Sequence, residues 1–394
     1  MTADAQKWQF HLPVNIVFGW TRAAEVGALA KPYGTKALVV TGRNSTKKSG
    51  LLDRMCASLS AAGVESLVFD EVQQNPLTTT AEKGAAVAKT AGCDMVVAVG
   101  GGSVIDCAKG IAFLAVNDGD ISDYIFARRS SNDALPLVAV PTTCGTGSEG
   151  NGFAVLTNPA NGDKKSLRCS AIIPKVSVVD PALMTTMPAR VLASVGFDAL
   201  CHCMEAYTAV AAQPFTDALA IYAIKLLAEH LPSLYQQVKS GQPVANNHAA
   251  WEAVSTASTI GGICIGACGV TLAHGMEHPA SGLRDIVHGQ GLAALTPAVI
   301  SFFVQKIDKT SASAYKLADI SRALGGTGIG DCADRLRSLL ASLELTPTLG
   351  SLGITEADIP WMVENCKKVS VGSLANVPIF IEETDIAAIY KEAL

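Results

Sequence analysis

The chain reads as two domains: an α/β half on a mainly parallel sheet, then an all-helical half. Three observations predict this. Short apolar strands alternate with helices up to residue 187. Glycine-rich turns follow two of those strands. From Pro188 on, strand signals fade and Ala-rich helical periodicity takes over. The expected domains are 1–187 and 188–394, with the join at Met184–Pro188.

The elements follow in order. Lys36–Thr41 (KALVVT) is a buried strand closed by the turn Gly42-Arg43-Asn44-Ser45. Leu51–Ala62 is a helix ended by Gly63, and Glu65–Phe69 is a second strand. Thr78–Ala91 is a helix with Thr at its start and Gly92 at its end, the expected cap chemistry. Asp94–Val99 is a third strand, followed by GGGS and a helix from Val104 to Val116. Leu135–Val140 is a fourth strand, ending in PTTCGTGSE. Strands this short and apolar, separated by helices, imply a parallel sheet covered on both faces. Helices are then expected over Val191–Ala211, Phe215–Lys239, Ala249–Ser281, Leu292–Phe303, Ser311–Leu324, Cys332–Leu343 and Ile359–Lys368.

Composition sets bounds. Hydrophobic residues are 49% of the 394, charged residues 16%, and mean hydropathy is +0.31. That richness implies extensive burial and a homo-oligomeric interface, a dimer or larger. No apolar run reaches membrane-spanning length, and MTADAQKWQFHLP lacks a signal peptide's apolar core. The expected location is the cytoplasm. A net charge of −5 without a basic stripe argues against nucleic acid. The eleven scattered cysteines read as reduced, mostly buried side chains.

Gly100-Gly101-Gly102-Ser103 joins a strand to a helix. Such glycines let backbone N–H groups approach an anion at a helix N-terminus, and a diphosphate is the natural guest. A tight turn without a ligand is the plain alternative. Thr142, Thr143, Thr146 and Ser148 add hydroxyl donors in a second loop. Two such loops point to a nucleotide. After the first strand, dinucleotide sites often place a carboxylate on the ribose hydroxyls. Here Gly42 stands in that place, with Arg43, Lys47 and Lys48 nearby, which suits a 2′-phosphate and hence NADP over NAD.

Three of the seven histidines fall in TLAHGMEHPASGLRDIVHGQ. His274 and His278 share a helix face at i, i+4, Pro279 and Gly282 stop or bend that helix, and His288 returns on a separate segment. Upstream, Asp198 and His202 repeat the i, i+4 spacing in GFDALCHCMEAY. Asp198, His202, His274 and His288 make an O/N donor set suited to Fe(II), Zn or a similar divalent ion.

GGGSVIDCAK, PTTCGTGSE, GFDALCHCMEAY and LAHGMEHP with His288-Gly289 together resemble the iron-containing (group III) alcohol dehydrogenases, over nearly the whole chain. The resemblance implies a nicotinamide-binding α/β domain, a metal-binding helical domain, and an active site between them. It implies that Asp198, His202, His274 and His288 hold the metal and that His278 lies near the nicotinamide and helps relay the proton. It assigns the diphosphate to Gly101, Gly102 and Ser103 with Asp106 behind them. Thr142, Thr143 and Thr146 become cofactor contacts, and Lys164 reaches the nicotinamide ribose. Family members that use NAD carry Asp where Gly42 stands here. Gly150-Asn151-Gly152-Phe153 replaces the family's common β-branched run and alters the substrate pocket. Met, Phe and Cys are expected to make that pocket mostly apolar.

The expected activity is hydride transfer between NADP(H) and a small alcohol, aldehyde or ketone. A lyase of the dehydroquinate-synthase type shares the two-domain plan, but it needs clustered cations that the helical half does not offer beside its ligand motifs. A metal-binding structural or sensing subunit leaves the paired glycine loops unexplained.

Overall fold

A computed structural model describes residues 7–394, so the first six residues of the stretch read above for a leader lie outside it. Among the described residues eight strands are present: β1 (Asn15–Phe18), β2 (Lys36–Gly42), β3 (Glu65–Val72), β4 (Met95–Gly100), β5 (Leu137–Pro141), β6 (Phe153–Thr157), β7 (Lys164–Arg168) and β8 (Val176–Val179). Six form one sheet in the order β1-β8-β5-β4-β2-β3, every pair parallel. β6 and β7 form a separate antiparallel hairpin.

Alternation divides the sheet residues between two cores. Leu38, Val40, Val96 and Ala98 pack with the helices Thr78–Ala91 and Gly102–Leu114. Ala37, Val39, Val97 and Val99 pack on the other face with Leu51–Ala61. Covered on both sides, β2, β4 and β5 show the continuous apolar character of parallel strands. The strand order reverses between β2 and β4. That switch point places the turns after β2 and β4 side by side at the carboxyl edge, where doubly wound sheets bind ligands.

The second half is helical, with its own core running from Leu192 to Ala393 and reaching back to Cys144. Its site-bearing helices are α1 (Ala189–Thr208), α2 (His248–Cys268), α3 (Leu272–Arg284) and α4 (His288–Lys306).

Several local expectations change. The segment read as one helix over 249–281 is two, meeting at 100°. Gly269, at φ +73°, ends the first, and Thr271 opens the second. Pro279 does not stop α3, which runs on to Arg284. A proline leaves the carbonyl four residues back without its helical donor. Here the Gly275 carbonyl accepts from Ser370 Oγ at 2.7 Å and Cys366 Sγ at 3.3 Å instead. Gly282 does not stop the helix either. It lets α3 press against the Gly162 carbonyl, where a Cβ would collide. The strands β1, β6, β7 and β8 escaped the sequence reading, being short or, like KKSLR, polar.

All eleven cysteines are free thiols, and only Cys56 and Cys169 are less than fully buried. Among the described residues no single helix is long and apolar enough to cross a membrane.

Candidate active site

Helix α1 presents Asp198, His202 and Glu205 at i, i+4 and i+7, one buried face. Asp198 Oδ1 is the focus of the site. His274 Nε2 lies 3.4 Å from it, His202 Nε2 3.6 Å and His288 Nε2 3.7 Å. The donor atoms of Asp198, His274 and His288 lie within 4.8 Å of one another. His202 flanks this trio, its ring stacked on His274 at 4.5 Å.

The opposite ring nitrogens are held by groups to which the sequence reading gave no role. His274 Nδ1 is 2.6 Å from Glu205 Oε1. The other Glu205 oxygen accepts from the Thr271 backbone N–H at 2.5 Å and Thr271 Oγ1 at 3.0 Å, so one carboxylate both orients His274 and caps α3. His288 Nδ1 lies 2.5 Å from Glu277 Oε2, an ion-pair contact outside hydrogen-bond geometry. His202 Nδ1 faces the Gly145 carbonyl at 3.4 Å. With their Nδ1 atoms directed at these acceptors, the rings turn Nε2 toward Asp198. Carboxylates placed behind imidazoles in this way fix ring orientation and raise donor strength. The missed signal was visible as i+7 from Asp198 and i+3 from His274.

The electrostatics follow from these partners. Burial disfavours the charged His274 ring, but Glu205 and Asp198 outweigh it and lift its pKa to about 10. Burial lowers His202 to about 4, with the neighbouring imidazoles adding to the effect. Burial opposes ionisation of Asp198 and Glu277, but the surrounding histidines, and Lys164 beside Glu277, hold both carboxyls well below the usual range.

The donor set fits a divalent ion. Asp198 Oδ1 and His274 Nε2 are buried without a hydrogen-bond partner among the described residues, a costly arrangement for two polar atoms. Four donors bonded to one ion at about 2.1 Å stand about 3.4 Å apart in a tetrahedral array. The separations around Asp198 Oδ1 match that spacing.

One cavity joins this cluster to the sheet edge. Gly102, Ser103, Asp106, Thr146 and Ser148 line it from the α/β half, together with Lys164 and the four histidines. The two glycine loops interlock: a Cβ on Gly102 would collide with Thr146, and one on Gly101 would stand 3.0 Å from Thr143 Oγ1. Their glycines therefore serve loop packing as well as access. Asp106 accepts from Ser148 Oγ at 2.5 Å and the Val155 N–H at 2.9 Å, so it braces the loop behind the turn. Buried Lys109, unmarked in the sequence reading, donates to Ser148 O and Phe153 O, each at 2.7 Å.

Gly42–Ser45, Thr142 and Thr143 stand apart from the cavity wall, whereas His278 and Lys164 line it. Gly42–Ser45 lies at the end of β2, where Gly42 neighbours Val104. Lys47 pairs with Asp70, so it is less free for a phosphate than its sequence position implies. Thr142 and Thr143 are half-buried in the same loop as Thr146 but do not line the cavity. His278 is half-buried in the cavity, 6.0 Å from the His288 ring. Burial and the Lys164 ammonium hold its pKa well below the ordinary value, so the ring is neutral. Lys164 Nζ reaches Asn75 Oδ1 at 3.0 Å and Glu277 at 3.4 Å. The apolar lining is Pro76, Phe153, Val155, Ile265 and Val270, without the Met and Cys expected from composition.

Fold and site define a class: a two-domain protein in which a parallel-sheet domain and a helical domain share one cavity. Residues 13–181 match the family model described as iron-containing alcohol dehydrogenase. Residues 192–394 match that of the Fe-containing alcohol dehydrogenase family, C-terminal. The chain belongs to the iron-containing alcohol dehydrogenase family. It is 35% identical to 1,3-propanediol dehydrogenase of Klebsiella pneumoniae over 91% of this chain and 92% of that protein. It is 33% identical to NAD-dependent methanol dehydrogenase of Bacillus methanolicus over 98% and 99%. The structure of an archaeal halo-thermophilic alcohol dehydrogenase from a Red Sea brine pool superposes with a TM-score of 0.93, at 32% identity over 99% and 100% of the two chains.

Proposed function

We propose that this protein is a metal-dependent alcohol dehydrogenase that interconverts a small alcohol with its aldehyde or ketone. The observation that carries the reading is the convergence of three imidazole Nε2 atoms on Asp198 Oδ1 in a cavity shared with Gly102, Ser103 and Thr146. Asp198, His202, His274 and His288 hold the divalent ion, Fe(II) ahead of Zn. Gly101, Gly102, Ser103, Thr142, Thr143 and Thr146 hold the nicotinamide cofactor, with Lys164 near its ribose. Bound there, the ion supplies positive charge to the substrate oxygen and the nicotinamide supplies or accepts the hydride.

The chain's own residues do the rest. Glu205 and Glu277 keep His274 and His288 aimed inward. Neutral His278, without a hydrogen-bond partner among the described residues, takes the hydroxyl proton during oxidation and returns it during reduction. Phe153, Val155, Ile265 and Val270 exclude water from the hydride path.

NADP(H) is preferred over NAD(H), because Gly42 removes the ribose-binding carboxylate and leaves Arg43 and Lys48 nearby. The site divides between domains 1–187 and 188–394. The protein works in the cytoplasm, consistent with eleven free thiols, and as a homodimer or larger homo-oligomer. Exposed Trp8 and Phe215, with Phe10 4.8 Å from Phe215, offer an apolar patch for self-association.

The test is an alcohol and aldehyde panel with NADP(H) and NAD(H) after loading with Fe(II) or Zn. His274→Ala is expected to lose metal and turnover while still binding nucleotide. A metal-free variant with full activity would overturn the reading. Gly42→Asp, whose Cβ meets only ordinary contacts at 3.6 and 3.8 Å, is expected to move preference toward NAD(H).

A further inference from the structure

The β6–β7 hairpin forms one wall of the cavity. Residues two apart on a strand share a face, and Phe153 and Val155 of β6 line the cavity with Lys164, Ser166 and Arg168 of β7. Lys164 occupies the inner end of this row, against Glu277 and so beside His288. Arg168 sits four residues along, roughly 13 Å of strand rise away. The row thus carries a cation at each end, and their situations differ. Lys164 is paired with a buried carboxylate. Arg168 has no acidic partner among the described residues.

Arg168 is nevertheless held in place. It faces Phe153 across the hairpin in register, and its guanidinium carbon stands 4.6 Å from the Phe153 ring centroid. Stacking of this kind orients a guanidinium while leaving its N–H fork open. Cations stand nearby: Lys165 lies three residues back on the other face of the same strand, and Lys165 and Lys368 both approach the Phe126 ring, at 5.6 and 5.8 Å. Asp163 pairs with Lys368. Three cations against one acid leave a local excess of positive charge. The neighbouring Asn151 amide is occupied, accepting from Lys109 and the Phe153 N–H and donating to the Gly147 and Gly262 carbonyls, so it does not compete for a ligand. Arg168 also borders a second opening formed by residues 266–270 and 372–376, which shares no residue with the glycine turns. It is therefore placed for the substrate rather than the cofactor diphosphate.

We propose that Arg168 binds a terminal oxyanion on the substrate, so that the preferred substrate is a short aliphatic aldehyde or alcohol carrying a carboxylate or sulfonate at its far end. The inference rests on the carbonyl-reducing reading above and narrows its substrate class. The reacting carbon lies at the histidine cluster, the aliphatic stem runs along Phe153 and Val155, and the oxyanion meets the guanidinium fork, the geometry Arg uses for bidentate recognition.

The experiment compares kcat/KM for 4-oxobutanoate, 3-sulfopropanal and uncharged butanal in the metal-loaded full chain, in wild type, Arg168→Gln and Arg168→Lys. Wild type is expected to prefer at least one oxyanion over butanal, and the two charged probes identify the head group. A hydrogen-bonded charge is worth about 1.5–3 kcal/mol, so Arg168→Gln is expected to lower the oxyanion-to-butanal ratio about ten- to hundred-fold, mainly through KM. Arg168→Lys is expected to recover part of the ratio, and added salt to raise KM for the charged aldehyde alone. Succinate, but not succinamide, is expected to compete with the charged aldehyde in wild type and not in Arg168→Gln. Reduction of butanal with no oxyanion preference, or a ratio unchanged in Arg168→Gln, overturns this inference alone. Failure to reduce any of the three aldehydes overturns the carbonyl-reducing reading and this inference together.

Discussion

Glu205 and Glu277 show how a single residue organises the centre. Each lies behind an imidazole, and each also serves elsewhere. Glu205 caps α3 through Thr271, while Glu277 accepts from Ser281 and pairs with Lys164. Removing the charge of either leaves the histidine in place but loosens its aim. Glu205→Gln is expected to weaken metal binding about ten- to hundred-fold, measured by competition with a chelator of known affinity. An unchanged affinity would show that the orientation of His274 is set by packing alone.

At the scale of elements, the site depends on close approach between the PTTCGTGSE loop and α2. Gly147, at φ +57°, lies against Gly262, and a Cβ on Gly262 would collide with the Gly147 carbonyl. Thr259 Oγ1 reinforces the contact by donating to Glu149 at 2.8 Å. Gly262→Ala must push the loop away from the helix, and overpacking of this kind costs about 1–3 kcal/mol. Reduced thermal stability together with weaker nucleotide binding is expected. Gly330→Ala is the control, since a Cβ there meets nothing within 4 Å.

At the scale of the molecule, the cluster draws on α1, α3 and α4, while the hairpin and glycine turns close the cavity from the other half. A ligand bound only by the folded chain stabilises it by mass action, by about 2.7 kcal/mol at a concentration one hundred times its Kd. Stripping the metal with a chelator is therefore expected to lower Tm, and readdition of Fe(II) or Zn to restore it. In His274→Ala the chelator is expected to shift Tm little. An equal shift in that variant would place the stabilising ion elsewhere.

Local periodicity determined much of this protein. Continuous apolar runs between capped helices specified the parallel core, because a strand covered on both faces must be apolar throughout. Asp198 and His202 were legible as a pair because four residues return a helix to the same face. The sequence alone also placed His274 and His288 on separate segments. It did not show that Gly269 breaks the preceding helix or that α3 passes through Pro279. The latter depends on Ser370, which stands in for the lost helical donor at the Gly275 carbonyl from 95 positions away. Nor did it single out Glu277, Lys109 or Arg168. A carboxylate behind an imidazole, an ammonium bonded into the 148–153 segment and a guanidinium without a counter-ion are defined by their neighbours, and only the tertiary structure brings those neighbours together.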